Sequence, residues 1–143
     1  MISIAGDHKT VELIKQVEQY LQAHKLEYEN LGAVDETFTP LQAIIPHIAK
    51  RVRSGESTLG ILACGTGVGV EIGANRFRGV RASLCIKPEQ AGNARTYDDA
   101  NILCLSAWET EQDLSAILDA WFSAAFDGST QRAQMLSDFD AWQ

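Results

Sequence analysis

Leu59-Gly60-Ile61-Leu62-Ala63-Cys64-Gly65-Thr66-Gly67-Val68-Gly69 is the stretch on which the fold turns. Its first five residues are a continuous apolar run, as expected of a central parallel strand buried on both faces. The last five are a glycine-rich turn, and the sequence beyond it, to about Asn75, reads as a helix. Three glycines at alternate positions let backbone N–H groups face one centre without Cβ clashes. Such a nest attracts an anion or a developing oxyanion. The stretch lacks the Gly-Lys-Ser/Thr ending of a nucleotide P-loop and the GxGxxG spacing, which argues against a nucleotide. From spacing alone, a tight strand-to-helix turn and an anion site fit equally.

Working outward, the same alternation of strand and helix fills the chain. Residues 2–5 read as a first strand, and Gly6-Asp7-His8 as the loop at its end. From Thr10, apolar Val11, Leu13, Ile14, Val17, Tyr20 and Leu21 recur at three- and four-residue steps, the signature of an amphipathic helix. Residues 26–31 alternate as a second strand, and 32–40 are polar and loop-like. A helix is expected from about Pro40 to Arg53, with Pro46 predicting a kink or a late start. Ser54-Gly55-Glu56-Ser57 breaks it. Beyond the glycine turn, 80–85 and 101–105 read as strands. Helices are expected over 88–98, 111–126 and, with Ser129 as cap, about 129–142. Together these predict a single α/β domain over 1–143, a Rossmann-like three-layer sandwich around a five-stranded parallel sheet. Ligands of such sheets bind beyond the carboxyl ends of the strands. Asp7, His8, Cys64, the glycine loop and residues 97–101 are therefore expected to share one edge.

Composition narrows the function. A chain of 143 residues fits one domain, and 45% hydrophobic residues are too many for disorder. The net charge of −7 argues against nucleic acid as a partner. Any anionic substrate needs a locally positive pocket inside a negative whole. Three cysteines without CxxC spacing imply a reducing, cytoplasmic compartment without structural disulfides. Three histidines without clustered Cys/His spacing argue against zinc. No apolar run is long enough for a membrane span, and the first residues lack the pattern of a signal peptide.

Several residues carry chemistry or a plainer role. Cys64 stands at a strand end before the nest, where positive backbone potential favours thiolate. It fits a base or nucleophile, but from the residues alone it is more readily a small buried hydrophobe, the usual role of a free cysteine. Cys85 and Cys104 fall within strands and read as core. Asp7-His8 suits a crevice pair that polarises an oxygen or binds an anion, or a loop histidine beside a helix cap. Tyr97-Asp98-Asp99-Ala100-Asn101 suits capping and turn formation as well as contact with a sugar hydroxyl. Arg76, Arg78 and Arg81 cluster on one loop, either solvated or in a subunit contact.

These segments together resemble the ribose-5-phosphate isomerase B / galactose-6-phosphate isomerase family. The likeness rests on 60–69, on Ala74-Asn75-Arg76, Gly79-Val80-Arg81-Ala82 and Asp99-Ala100-Asn101-Ile102-Leu103, and on Gly6-Asp7-His8 and Phe126-Asp127-Gly128. It implies an aldose–ketose isomerase that works through an enediolate without metal or cofactor. By that likeness Cys64 is the base. Thr66 and the backbone of Gly65, Gly67, Val68 and Gly69 stabilise the enediolate oxygens. Asp7 binds sugar hydroxyls and His8 the distal phosphate. The site is shared within a homodimer or homotetramer, the segment around Tyr97 and Asp98 coming from the partner and the last helix joining the dimer contact. One branch of the family uses a Glu just after the last loop glycine; Val70 stands there, with Glu71 one step off, so Cys64 is favoured.

The departures bear on substrate. Tyr97 aligns with the family's ring-opening His, and Asp98 stands where Asn is usual. An aspartate-tyrosine-proline motif is reduced to Phe38-Thr39-Pro40. Trp108 replaces an Arg after the fifth strand, and the basic opening of the last helix is reduced to Thr130-Gln131-Arg132. Arg132, with Lys9 or Lys87, is left to hold an anion. The expected substrate is a short phosphorylated sugar, and a four-carbon open-chain one needs no ring opening. The rival readings are an isomerase of a non-phosphorylated acidic sugar and a non-catalytic sugar-binding or partner subunit.

Overall fold

The computed structural model describes residues 1–32, 34–109 and 113–142. Five parallel strands form one sheet: β1 (Ile2–Gly6), β2 (Tyr28–Asn30), β3 (Leu59–Cys64), β4 (Ala82–Leu84) and β5 (Ile102–Ser106). Their order across the sheet is β2-β1-β3-β5-β4. The connecting helices are α1 (Val11–Ala23), α2 (Leu41–Ser54), α3 (Val68–Ala74), α4 (Pro88–Asp98), α5 (Leu114–Ser123) and α6 (Thr130–Ala141). The chain leaves β1 for β2 on one side and returns to β3 on the other. The crevice at that reversal lies between the carboxyl ends of β1 and β3.

The two-residue period of the strands divides the core. Ile2, Ile4, Ile61, Ala63, Leu103 and Leu105 face α1, α4 and α5. Ala5, Leu62, Cys64, Ile102 and Cys104 face α2 and α3. Trp121 of α5 is fully buried, as are Ile14, Val17 and Leu21 of α1. Each such aliphatic side chain contributes about 1.5–3 kcal/mol relative to exposure. The expected three-layer, single-domain α/β fold is thus present.

Three local expectations change. Helix α2 runs from Leu41 to Ser54 with Pro46 inside it, so it does not start late. The proline removes one intrahelical bond, and burial of Ile44, Ile45, Ile48 and Ala49 against the sheet offsets it. Helix α5 ends at Ser123, short of 126, because Ala124 is extended and the Asp127 N–H is drawn to the Thr96 carbonyl at 2.9 Å. Residues 111–112, expected at its start, lie outside the described ones. Strand β4 is three residues long; Val80 and Arg81 precede it.

The amino edge of the sheet is held by two asparagines. Asn75 Oδ1 accepts the Ala82 N–H at 2.8 Å while its Nδ2 donates to the Ala82 carbonyl at 2.9 Å. Asn101 does the same between Arg81 N–H and the Gly79 carbonyl, both at 2.8 Å. Arg53, Arg76, Arg78 and Arg81 line a cavity of about 770 Å³ there, with α6 along its rim. Of α6 only Leu136 is buried, while Phe139 and Trp142 are exposed. Among the described residues no helix is long and apolar enough to cross a membrane.

Candidate active site

The site begins with a close approach. A Cβ on Gly6 would lie 2.0 Å from Thr10 Oγ1, so only glycine lets β1 end so near the start of α1. Thr10 Oγ1 donates to the Asp7 carbonyl at 2.9 Å, and the Lys9 N–H donates to Asp7 Oδ1 at 3.0 Å. The Asp7 N–H reaches the Ala63 carbonyl at 3.2 Å. The buried Asp7 is thereby set beside the residue that follows Ala63, which is Cys64. His8 is held differently. Its Nδ1 accepts the Thr39 N–H at 3.3 Å, and the Phe38 ring lies 5.2 Å away. A ring nitrogen that accepts carries no proton, so in the neutral imidazole the N–H is on Nε2.

Cys64 ends β3, only 4% exposed. The chain then turns through Gly67, whose φ of +75° is left-handed. The Gly67 N–H donates to Cys64 Sγ at 3.2 Å. The Val68 N–H donates to Thr66 Oγ1 at 3.1 Å, so the threonine's own O–H remains to donate elsewhere. Cys64 Sγ and Thr66 Oγ1 are 4.0 Å apart. Ser106 at the end of β5 donates from Oγ to the Gly65 carbonyl at 2.8 Å, and the Trp108 N–H reaches that carbonyl at 3.2 Å. The indole of Trp108 lies on Gly65: a Cβ there would meet Cζ2 at 2.8 Å. Trp108 is otherwise 68% exposed and walls a small cavity with Thr66, Val68 and Leu84.

The other two thiols are unsuited to chemistry. Both are fully buried. Burial, only partly countered by Ser83, pushes the Cys85 thiol up to about 11. Burial also holds Cys104 well above 9.0, with Glu71 adding to it. Val70 is sealed in the core, and Glu71 Oε1 accepts the Leu84 N–H at 2.8 Å. Neither is turned to the crevice as a free base.

One expectation needs correction. Within the chain, residues 97–101 do not share the edge of Cys64. Helix α4 runs back against the strands, so its end at Asp98 lies at the amino edge, before Ile102 opens β5. Cys64 lies at the other end of the sheet, in register with Ser106, the last residue of β5. Tyr97 and Arg132 are nevertheless together. The Arg132 guanidinium stacks over the Tyr97 ring at 4.4 Å, and its Nε pairs with Asp127 at 3.1 Å. Asp98 faces the arginine-lined cavity beside them. Lys9 and Lys87, which caps α4, do stand at the carboxyl edge. Phe38, Thr39, Ser106 and the stacking of Trp108 on Gly65 were not foreseen as parts of the site. Among the described residues no cluster of three or more His, Cys, Asp or Glu is placed to hold a metal ion.

Comparison with known proteins gives this geometry its chemical class. Residues 2–137 match the model of the ribose/galactose isomerase family. The chain belongs to this family. Among its members, a probable ribose-5-phosphate isomerase B of Mycoplasma pneumoniae is 37% identical, covering 89% of this chain and 85% of that one. A 4-deoxy-4-sulfo-D-erythrose isomerase of Clostridium is 36% identical, covering 75% of this chain and 68% of that one. The crystal structure of a Thermotoga maritima ribose 5-phosphate isomerase superimposes with a TM-score of 0.92 at 36% identity, covering 99% of this chain and 97% of that one. A ribose-5-phosphate isomerase B of Mycoplasma genitalium with bound ribulose-5-phosphate gives 0.90 at 32% identity, covering 97% and 93%. As a member of the ribose/galactose isomerases, the chain is an aldose–ketose isomerase.

Proposed function

We propose that this isomerase moves a proton between C1 and C2 of a short sugar phosphate through an enediolate, with Cys64 as the base. The observation that carries the reading is the Cys64 loop: one sulfur at the carboxyl edge, oriented by the Gly67 N–H at 3.2 Å and with the Thr66 hydroxyl 4.0 Å away. The thiolate of Cys64 takes the C2 proton of the open-chain aldose. The C2–H electron pair forms the C1–C2 double bond and the carbonyl pair moves onto O1. Thr66 O–H and the loop N–H groups of Gly65 to Gly69 stabilise that oxygen. The Cys64 thiol then returns the proton to C1, and the proton on O2 passes to O1, leaving the ketose. Asp7 accepts from sugar hydroxyls, and the His8 Nε2–H donates to the distal anion.

A second copy completes the site. Tyr97, Asp98 and Arg132, gathered away from Cys64, reach the loop of a partner in a homodimer or homotetramer, with α6 in the contact. The nearly bare surface of α6 supports this reading. Three buried free thiols fit a reducing cytoplasm.

A second reading concerns the substrate alone. The relative acting on a sulfonated four-carbon sugar favours a short acidic substrate whose anion is not phosphate. A four-carbon sugar lacking a C4 hydroxyl cannot close a five-membered ring, so Tyr97 in place of a ring-opening histidine is no handicap. The deciding experiment offers C4 to C6 aldose and ketose phosphates, and a four-carbon sulfonate, to wild type and Cys64→Ala. Loss of turnover with all substrates in Cys64→Ala supports the base assignment, and retained turnover overturns it. Preference for the sulfonate moves the substrate to the second reading. Binding without turnover by wild type makes the chain a partner subunit.

A further inference from the structure

Glu71 is one residue away from the position at which some family members carry a basic Glu, and it lies just behind the catalytic loop. Its contacts close a ring. Its own N–H donates to the Gly67 carbonyl at 3.3 Å. Its carboxylate Oε1 accepts the Leu84 N–H at 2.8 Å, bridging α3 to the end of β4. The Leu84 side chain returns to the start, since a Cβ on Gly67 would lie 2.4 Å from Leu84 Cδ1. Gly67 is the left-handed residue that donates to Cys64 Sγ. From the sulfur, the path runs through the Gly67 N–H, the Leu84 side chain and the Leu84 N–H to the Glu71 carboxylate.

We infer that Glu71 is a positioning residue: it fixes Leu84 against Gly67, and so fixes the N–H that orients Cys64. A left-handed turn has few restraints of its own, because glycine populates either sign of φ with similar ease. The ring supplies the restraint from both sides. Helix α3 holds the Gly67 carbonyl, and β4 holds its Cα through Leu84. Glu71 is required as an acceptor at a fixed reach, and its negative charge is incidental. This inference rests on the Cys64 reading for its effect on turnover, but the geometry it describes is independent of which group is the base.

The test compares Glu71→Gln with Glu71→Ala. Glutamine keeps the Oε1 acceptor and loses the charge, so its kcat and KM stay within about two-fold of wild type. Alanine frees Leu84, and kcat falls about ten-fold or more with KM little changed, as for a misplaced reacting group. A second readout is the rate of iodoacetamide alkylation at Cys64, followed by mass spectrometry. It differs from wild type in Glu71→Ala and matches wild type in Glu71→Gln. If Glu71→Ala does not fold, Leu84→Ala carries the test. It retains the carboxylate bond and removes the wall against Gly67, and its kcat falls likewise. A Glu71→Gln as impaired as Glu71→Ala overturns the inference in favour of a charge role. So does an unchanged kcat and alkylation rate in the alanine variants. Should Cys64→Ala retain turnover, the base assignment fails alone, and the alkylation comparison still decides the role of Glu71.

Discussion

Replacing Gly67 by alanine imposes two costs on the fold at once. The first is conformational: φ is +75°, where a Cβ meets its own backbone at a cost of about 1–2 kcal/mol. The second is crowding. The added carbon would stand 2.4 Å from Leu84 Cδ1 and 3.1 Å from both the Leu105 carbonyl carbon and the Ser106 nitrogen. Leucine can turn aside, but two backbone atoms of a central strand cannot, and such overpacking costs about 1–3 kcal/mol. The sum is roughly 2–5 kcal/mol, or about 8–20 °C in melting temperature for a domain of this size. Gly55→Ala separates the terms. Its φ is +79°, yet nothing lies within 4 Å of the added Cβ. It should lose about 1–2 kcal/mol and no activity. If the loop of Gly67→Ala escapes the clash by shifting, the stability loss shrinks. The Gly67 N–H then leaves the sulfur, and kcat falls about a hundred-fold. Thermal unfolding and steady-state turnover of both variants read the two terms together. A Gly67→Ala protein that melts with Gly55→Ala and turns over like wild type would refute the reasoning about this turn.

Two further predictions follow from charge and assembly. The unfolded Cys85 thiol releases its proton near 9.0 and the folded one near 11, so the folded state holds the extra proton. That stability is full below pH 9 and is lost as pH rises through 11. Cys104 and Tyr20, the latter raised by burial and its bond to Asp119, act in the same direction. The melting temperature should therefore fall above pH 9, and Cys85→Ala should flatten the curve between 9 and 11; a flat wild-type curve would contradict the burial argument. For the proposed shared site in a dimer, Cys64→Ala and Arg132→Ala are each expected to be impaired, yet refolding an equal mixture should restore about a quarter of wild-type activity, since half the dimers would carry one intact site. No recovery on mixing would place Arg132 and Cys64 in the same subunit's site, or in none.

How far the sequence could be read depends on the range of the interaction involved. β3 was legible because a central strand is apolar on both faces, and α1 because its apolar stripe is periodic. Pro46 misled because its cost is local, whereas the burial that offsets it belongs to the sheet. Asp7, His8 and Cys64 were legible as a group, since parallel strands deliver their following loops to one edge. Tyr97 and Asp98 were misplaced for want of the same rule in reverse: residues that precede a strand arrive at its amino end. Glu71 carried no signal, because its partner is a backbone N–H thirteen residues away. Trp108 was visible only as a missing arginine; its stacking on Gly65 is a tertiary contact.

The distribution of cations gives the net charge of −7 its consequence. Arg53, Arg76, Arg78 and Arg81 line the amino-edge cavity, and Arg81 is already paired with Asp99 and Asp140. Arg132 lies with Tyr97, away from Cys64. At the carboxyl edge stand Lys9 and Lys87, both exposed, where water and salt weaken their pull. On the proposed reading, a single chain offers an anionic sugar mainly the backbone N–H groups of the loop and the His8 ring. In the proposed shared site, the arginine of a second copy would supply the full charge that the loop lacks. A substrate whose anion sits near the reacting carbons gains most from the loop itself. On that ground the proposed site is expected to turn over a four-carbon acidic sugar faster than a six-carbon one, and a flat rate across the C4 to C6 series would contradict it.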